Sequence, residues 1–278
     1  MNISRMSGLF TKWQMFGFGA AICFLVIYLN IAEDVFTNDS IVKFDHSFGC
    51  VVQGLRTPRM SSLMLLITYL GNWQIIGAGL LLSIYYLARE RQWINAAGLL
   101  TSVFGGELLV FLSKTGFSRA RPDTLNALIP AKGLSFPSGH AFVAITFYGF
   151  LAWAVMTETR SMPARITLLL VVSGLAIAVG FSRIYLGVHW PSDVLASYSL
   201  ALAWVTILTT IFRTFISTPH ESGPASAVVD PRVLLAIWLA TIAIFYYFHP
   251  LAVQSAINVV KNDSSFSTSS PSYYLSTA

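Results

Sequence analysis

Long apolar runs constrain the fold of this chain more than any other feature. A membrane-spanning helix needs about 20 consecutive, mostly apolar residues. Seven runs approach or exceed this length, at 14–32, 63–88, 93–112, 140–157, 166–186, 193–212 and 233–249. Only 10% of the residues are charged, whereas soluble domains contain about 25%. The sequence therefore predicts an all-α, polytopic membrane helical bundle with six core spans and a seventh, C-terminal span.

The segments outside these runs differ in polarity. Residues 34–62 are mixed, which favours an interfacial amphipathic helix. Residues 213–232 form a polar linker rich in Pro, Gly and Ser, and residues 250–278 form a polar, partly disordered tail. We interpret residues 1–249 as one membrane domain that includes the linker, with a motif-bearing core at 60–212.

The charged residues and cysteines exclude several classes of function. The net charge of +5 comes from basic residues dispersed between apolar runs, which excludes a nucleic-acid partner. The two cysteines, Cys23 and Cys50, are too few for a disulfide framework and lack the spacing of a metal site. The expected partners are the lipid bilayer and a membrane lipid.

The order of the spans places three motif-like clusters on one face of the membrane. The clusters are KTGFSRARP (114–122), PSGH (137–140) and SRIYLGVHWPSDV (182–194). Because consecutive spans alternate in direction, one face of the membrane holds the end of the third span, the start of the fourth, the end of the fifth and the start of the sixth. With a cytoplasmic N-terminus, eight basic residues are cytoplasmic and the other nine of the 17 are not. If the basic residues in the clusters are left out of the count, the positive-inside rule favours a cytoplasmic N-terminus.

These clusters contain the residue types that bind phosphate. Lys114, Arg121 and Arg183 supply fixed positive charge, and guanidinium groups match phosphate oxygens bidentately. Ser138 and Gly139 precede His140 at the start of the fourth span, where backbone N–H groups favour an anion. Ser138 is also a candidate N-cap for that helix.

The third cluster adds a candidate nucleophile. Pro191 suits the first position of the sixth helix, which places Asp193 in its first turn and His189 just before it. Asp193 can then accept one ring N–H of His189 and leave the other nitrogen with a free lone pair, as in a catalytic triad.

With these residues, the sequence resembles the type 2 phosphatidic acid phosphatase family. Its signatures K-x6-R-P, P-S-G-H and S-R-x5-H-x3-D all match in order, within residues 60–212. The resemblance implies six core helices, an extracytoplasmic active site and no metal or other cofactor.

The resemblance also implies a role for each matching residue. His189 would be a nucleophile that takes the phosphoryl group, Asp193 would orient it, and His140 would act as general acid and base. The phosphate would be held by Lys114, Arg121, Arg183, Ser138 and Gly139.

The expected function is that of an integral membrane lipid phosphatase, with a bacterial inner membrane as the expected location. Candidate substrates are phosphatidic acid, phosphatidylglycerophosphate, undecaprenyl pyrophosphate and a lipid A phosphate. A lipid phosphotransferase and a lipid-phosphate transporter are the alternatives.

Two charged residues lie outside the fixed positions of the signatures. The intramembrane Glu107 is expected to pair with a cation or polar group of the bundle. Arg119 is expected to contact either a lipid headgroup or the substrate.

Overall fold

A computed structural model describes residues 12–122, 127–217, 231–248 and 254 of the chain. The described residues form helices and connecting loops without a strand. Six segments are long and apolar enough to cross a membrane: span 1 (Lys12–Thr37), span 2 (Pro58–Arg89), span 3 (Trp93–Phe117), span 4 (Gly139–Glu158), span 5 (Met162–Tyr185) and span 6 (Pro191–Arg213). The six predicted core spans are confirmed.

Span 4 is the centre of the bundle. Its side chains Phe142, Phe147 and Phe150 have no exposed surface, because spans 3, 5 and 6 pack around it and span 2 contacts Phe147 at Gly79. Spans 1 and 5 instead present large apolar side chains outward, such as Phe16 and Leu170. Since lipid replaces water around a membrane protein, these exposed apolar faces match the hydrocarbon core of a bilayer.

Span 2 consists of two helices, Pro58–Tyr69 and Trp73–Arg89. Asn72 caps the second helix by accepting a hydrogen bond from the backbone N–H of Gln74 at 3.3 Å. A Cβ atom on Gly71 would lie 3.1 Å from the carbonyl oxygen of His140 and 2.8 Å from a methyl group of Val179. Glycine at position 71 therefore lets this break pack closely against the start of span 4.

A shorter helix, Ser40–Gly54, connects spans 1 and 2, and we refer to it as the connecting helix. It lies within the predicted interfacial segment 34–62. Asp39 caps it by accepting the N–H of Ser40 at 2.6 Å. Phe44 and Val51 are exposed, whereas Asp45 is completely buried. The helix thus has one apolar outer face and directs a carboxylate into the protein.

The C-terminal helix, Pro231–Phe248, packs against span 2. The hydroxyl of Tyr246 donates to the carbonyl oxygen of Leu66 at 2.9 Å. Its apolar stretch Trp238–Tyr247 is shorter than a membrane span, so the seventh span at 233–249 stays a prediction. Helix continues to Ser217, and residues 218–230 of the predicted linker lie outside the described residues, as does nearly all of the tail.

Candidate active site

The three motifs meet at one end of the bundle. Lys114 lies in the last turn of span 3, and His140 in the first turn of span 4. Arg183 lies in the last turn of span 5, and Asp193 in the first turn of span 6. The segment 186–190, which contains His189, joins spans 5 and 6. The structure therefore brings the predicted site residues together as the alternation of spans requires.

His189 and Asp193 form the predicted pair. Span 6 begins at Pro191, as predicted, and Nδ1 of His189 lies 3.2 Å from Oδ2 of Asp193. The same carboxylate oxygen accepts the backbone N–H of Trp190 at 2.8 Å and the hydroxyl of Ser135. Asp193 is thus fixed by its own helix start and by the loop that precedes span 4.

The contacts of His189 define which ring nitrogen carries the proton. Its Nε2 lies 3.2 Å from Nη1 of Arg121. Because a guanidinium group only donates hydrogen bonds, Nε2 must be the acceptor, and the proton is then on Nδ1, facing Asp193. Nε2 therefore presents a lone pair toward a cationic group.

Burial keeps His189 neutral. It lowers the pKa of the imidazole to about 3, with smaller contributions in the same direction from Arg183 and Arg121. The hydrogen bond and charge of Asp193 oppose this shift and do not overcome it. At neutral pH, Nε2 is consequently unprotonated and keeps the lone pair that accepts the hydrogen bond from Arg121.

The depressed pKa of His189 predicts a pH-dependent loss of folding stability. Above pH 6.5, its ordinary pKa, the imidazole is neutral in both the folded and the unfolded chain. As the pH falls toward 3, the unfolded chain binds a proton at His189 that the folded chain excludes. Stability then decreases by up to about 1.4 kcal/mol per pH unit. In detergent, the melting temperature of the wild type should fall more steeply over this range than that of His189→Asn, and parallel curves would contradict the assignment.

Lys114 and Arg121 hold the loop before span 4. The ammonium group of Lys114 donates to the carbonyl oxygen of Leu134 at 2.8 Å. Arg121 donates to the carbonyl oxygens of Lys132 at 3.1 Å, Gly133 at 3.0 Å and Val188 at 2.7 Å. These carbonyl partners hold Arg121 beside His189 and Lys114 against the loop before span 4.

Two buried polar groups in the site lack a partner among the described residues. Arg183 is 5% exposed, and its Nη1 donates to the hydroxyl of Thr68 at 2.6 Å, but its Nε has no acceptor. The hydroxyl of Ser138 is buried without any hydrogen bond. Buried groups of this kind are rare unless a water or ligand completes them.

Ser138 occupies the predicted N-cap position of span 4, but its side chain makes no capping hydrogen bond. Its backbone N–H also has a partner, the carbonyl oxygen of Asp193 at 3.2 Å. Gly139 and His140 occupy the first two helical positions, where N–H groups have no acceptor within the helix. An anion would therefore meet the N–H groups of these two residues and the hydroxyl, not the N–H, of Ser138.

His140 lies within electrostatic range of the other site residues, namely Lys114, Arg121, Arg183 and His189.

A cavity of about 250 Å³ opens beside Arg121 and Val188, and Lys132 and mostly apolar side chains line the rest of it. The described residues contain no group of three or more His, Cys, Asp or Glu side chains that could hold a metal ion.

The structure gives unpredicted surroundings to one of two other charged residues discussed from the sequence. Arg119 pairs with Asp45 at 2.6 Å and Asp193 at 2.8 Å, and its contact with a headgroup or substrate stays a prediction. Glu107 is exposed on span 3 and lies within electrostatic range of Lys114, although the two form no direct ion pair in the described part of the chain. No local pattern indicates the partners of Arg119, because both lie 74 positions away in the chain.

Comparisons with known proteins agree with the geometry. Residues 95–217 match the model of the PAP2 superfamily. The chain is 30% identical over 190 residues to phosphatidylglycerophosphatase B of Bacillus subtilis (strain 168), covering 65% of this chain and 89% of that protein. It is 36% identical over 129 residues to lipid A 1-phosphatase of Rhizobium johnstonii, covering 43% of this chain and 48% of that protein.

The fold is also that of a solved structure. The crystal structure of a transmembrane PAP2 type phosphatidylglycerolphosphate phosphatase from Bacillus subtilis superposes with a TM-score of 0.61 at 24% identity, covering 73% of this chain and 98% of the other. The matched family region contains all three motifs that meet in the site. With a 30% identical relative matched over 89% of its length, the chain belongs to the PAP2 superfamily.

Proposed function

We propose that this phosphoric ester hydrolase removes phosphate from a membrane lipid through a covalent intermediate on His189. The proposal rests on the position of the His189 ring. Its Nδ1 lies 3.2 Å from the Asp193 carboxylate, and its Nε2 lies 3.2 Å from the Arg121 guanidinium. A nucleophile oriented on one side and facing a phosphate-binding cation on the other is suited to phosphoryl transfer.

In the first step, Nε2 of His189 attacks the phosphorus atom of the substrate. The bond between phosphorus and the leaving oxygen breaks, and the phosphoryl group remains on Nε2. His140, which enters this step as an imidazolium ion beside the anionic phosphate, donates a proton to the leaving oxygen, which departs as an alcohol or, from a pyrophosphate, as a lipid monophosphate. The carboxylate of Asp193 stabilises the positive charge that develops on the imidazole of His189.

In the second step, water releases the phosphate. His140, now neutral, takes a proton from a water molecule as its oxygen attacks phosphorus. The bond between Nε2 and phosphorus breaks, inorganic phosphate leaves, and His189 regains its lone pair. His140 thus regains in the second step the proton that it donates in the first.

Three cations neutralise the charge of the transferring group in this proposal. Lys114, Arg121 and Arg183 surround the site, and the free Nε of Arg183 and hydroxyl of Ser138 supply unused donors. Phosphoryl transfer depends mainly on such positioning and charge stabilisation. The proposed reaction therefore requires no metal ion or other cofactor.

The proposed substrate is a lipid phosphomonoester or pyrophosphate that enters from the bilayer. Phosphatidylglycerophosphate is the first candidate, since a 30% identical relative that is matched over 89% of its length is named for it. Lipid A phosphate, phosphatidic acid and undecaprenyl pyrophosphate are the others. Residues 1–249 would form the phosphatase domain in a bacterial inner membrane, with the site on the extracytoplasmic face.

A phosphate-release assay on detergent-purified protein tests this proposal. We expect release from at least one of the four lipid substrates, at a rate that EDTA changes by less than about twofold, because fixed cations carry the phosphate charge. Substrate labelled with ³²P should yield an acid-labile phosphoprotein when the reaction is quenched in base. Strong inhibition by EDTA would contradict the metal-free mechanism.

The same assay separates hydrolysis from phosphoryl transfer to a second lipid. Label that appears in a second lipid instead of free phosphate would identify a phosphotransferase. Release from none of the four lipids by a folded, monodisperse protein would overturn the proposed activity.

A further inference from the structure

The carboxylate of Asp193 is held by two groups of contacts on opposite sides. Oδ2 faces His189, Trp190 and Ser135. The guanidinium of Arg119 donates to Oδ1 at 2.8 Å. A carboxylate held at one oxygen can turn about its terminal torsion, which is broad in aspartate. The contact with Arg119 fixes the plane of the group and therefore the direction of Oδ2 toward His189.

Arg119 is itself held by a second buried carboxylate. Its Nη2 donates to Oδ2 of Asp45 at 2.6 Å, and the side chain of Asp45 is completely buried. The ring of Trp190 lies 5.6 Å from the guanidinium carbon, in the range of a cation–π contact. The guanidinium group is thus fixed at its edge by two aspartates and at its face by an indole.

Asp45 also holds the residue next to Asp193. The backbone N–H of Ser192 donates to Oδ1 of Asp45 at 2.8 Å, and its hydroxyl donates to Oδ2 at 2.5 Å. The same hydroxyl accepts from Nη1 of Arg119 at 2.7 Å. The connecting helix therefore fixes the first turn of span 6 through one side chain.

A purely structural role accounts poorly for this arrangement. Two carboxylates share one guanidinium group, and burying such charges contributes little net stability compared with apolar packing. The network instead meets the requirement of a reaction in which His189 gains positive charge. The network keeps the carboxylate of Asp193 ionised and oriented, and it prevents the carboxylate from rotating.

We propose that Asp45 and Arg119 are positioning residues that act through Asp193, and that the connecting helix Ser40–Gly54 is thereby part of the catalytic apparatus. This inference rests on the proposed function, since it assigns the two residues to the phosphoryl transfer on His189. Neither side chain lies in the three motifs' fixed positions, and neither contacts the phosphate-binding groups Lys114 and Arg183 in the described structure.

The test is a double-mutant cycle of Asp45→Asn with Asp193→Asn, measured by phosphate release. Asparagine keeps the shape and one acceptor of Asp45 but removes its charge. We expect kcat to fall about 10- to 100-fold in the wild-type background with KM unchanged, and by less than about twofold in the Asp193→Asn background. A residue that acts through Asp193 has little left to affect once that carboxylate is gone.

Asp39→Asn is the matched control, because Asp39 is an exposed aspartate that caps the same helix. Arg119→Lys is a second probe with its own control in the exposed Arg59→Lys. Lysine keeps the charge of Arg119 but cannot bridge two carboxylates as a planar fork does. Its effect should show the same dependence on Asp193.

Equal losses in both backgrounds would overturn the inference, since they would indicate a structural role only. Asp45→Asn activity equal to that of Asp39→Asn would also overturn it while leaving the proposed function intact. A wild-type protein that releases no phosphate would instead overturn the proposed function and, with it, the inference.

Discussion

Replacing His189 by alanine is expected to abolish phosphate release, with a loss of about 10⁴-fold or more. The substitution removes Nε2, the lone pair that faces Arg121 at 3.2 Å. The remaining cations can still bind phosphate but cannot form the covalent intermediate. The substrate should therefore bind with little change in KM, and no ³²P-labelled protein should accumulate. Turnover is measured as phosphate release at saturating substrate.

The control for this variant is Arg59→Ala, because Arg59 is an exposed residue outside the proposed site. Its replacement should change turnover by less than about twofold. Phosphate release at the wild-type rate by His189→Ala would disprove the role of the nucleophile.

Asp193→Asn should lower kcat by about 10³- to 10⁴-fold. Both carboxylate oxygens accept hydrogen bonds, Oδ1 from Arg119 and Oδ2 from His189 and Trp190. Whichever way the amide turns, its NH₂ group faces a donor. The variant also loses the negative charge that stabilises a positively charged phosphohistidine, so formation of the labelled intermediate should slow together with phosphate release.

Ser197→Ala is the comparison for this prediction. The hydroxyl of Ser197 donates to the main-chain oxygen of Asp193 at 2.6 Å, so its loss removes a buried hydrogen bond one turn away without changing the carboxylate. A similar loss of kcat in the two variants would show that Asp193 matters only for packing. A large effect at Asp193 alone supports the orienting role.

Predictions from the sequence were most reliable where the signal is local or periodic. Each span is a mostly apolar segment whose length matches the thickness of the bilayer. The pairing of His189 with Asp193 follows from their separation of four residues across a helix start that Pro191 defines. The alternation of spans likewise explains why Lys114 and Arg183 meet at one end of the bundle.

The sequence was less informative about groups whose partners are distant in the chain. The break in span 2 at Gly71 depends on close packing against His140, which an apolar pattern cannot show. Ser138 occupies the predicted N-cap position, but its hydroxyl lies in the site without a partner. Exposure of Glu107 depends on how span 3 is rotated in the bundle.

The sequence by itself thus determined the membrane architecture, the family signatures and the shared face of the site, because these depend on run length, spacing and the alternation of spans. Only the tertiary structure decided that Arg119 bridges Asp45 and Asp193 and that Thr68 holds Arg183. Those contacts join residues 74 and 115 positions apart. Their geometry depends on how the helices pack, which no local pattern specifies.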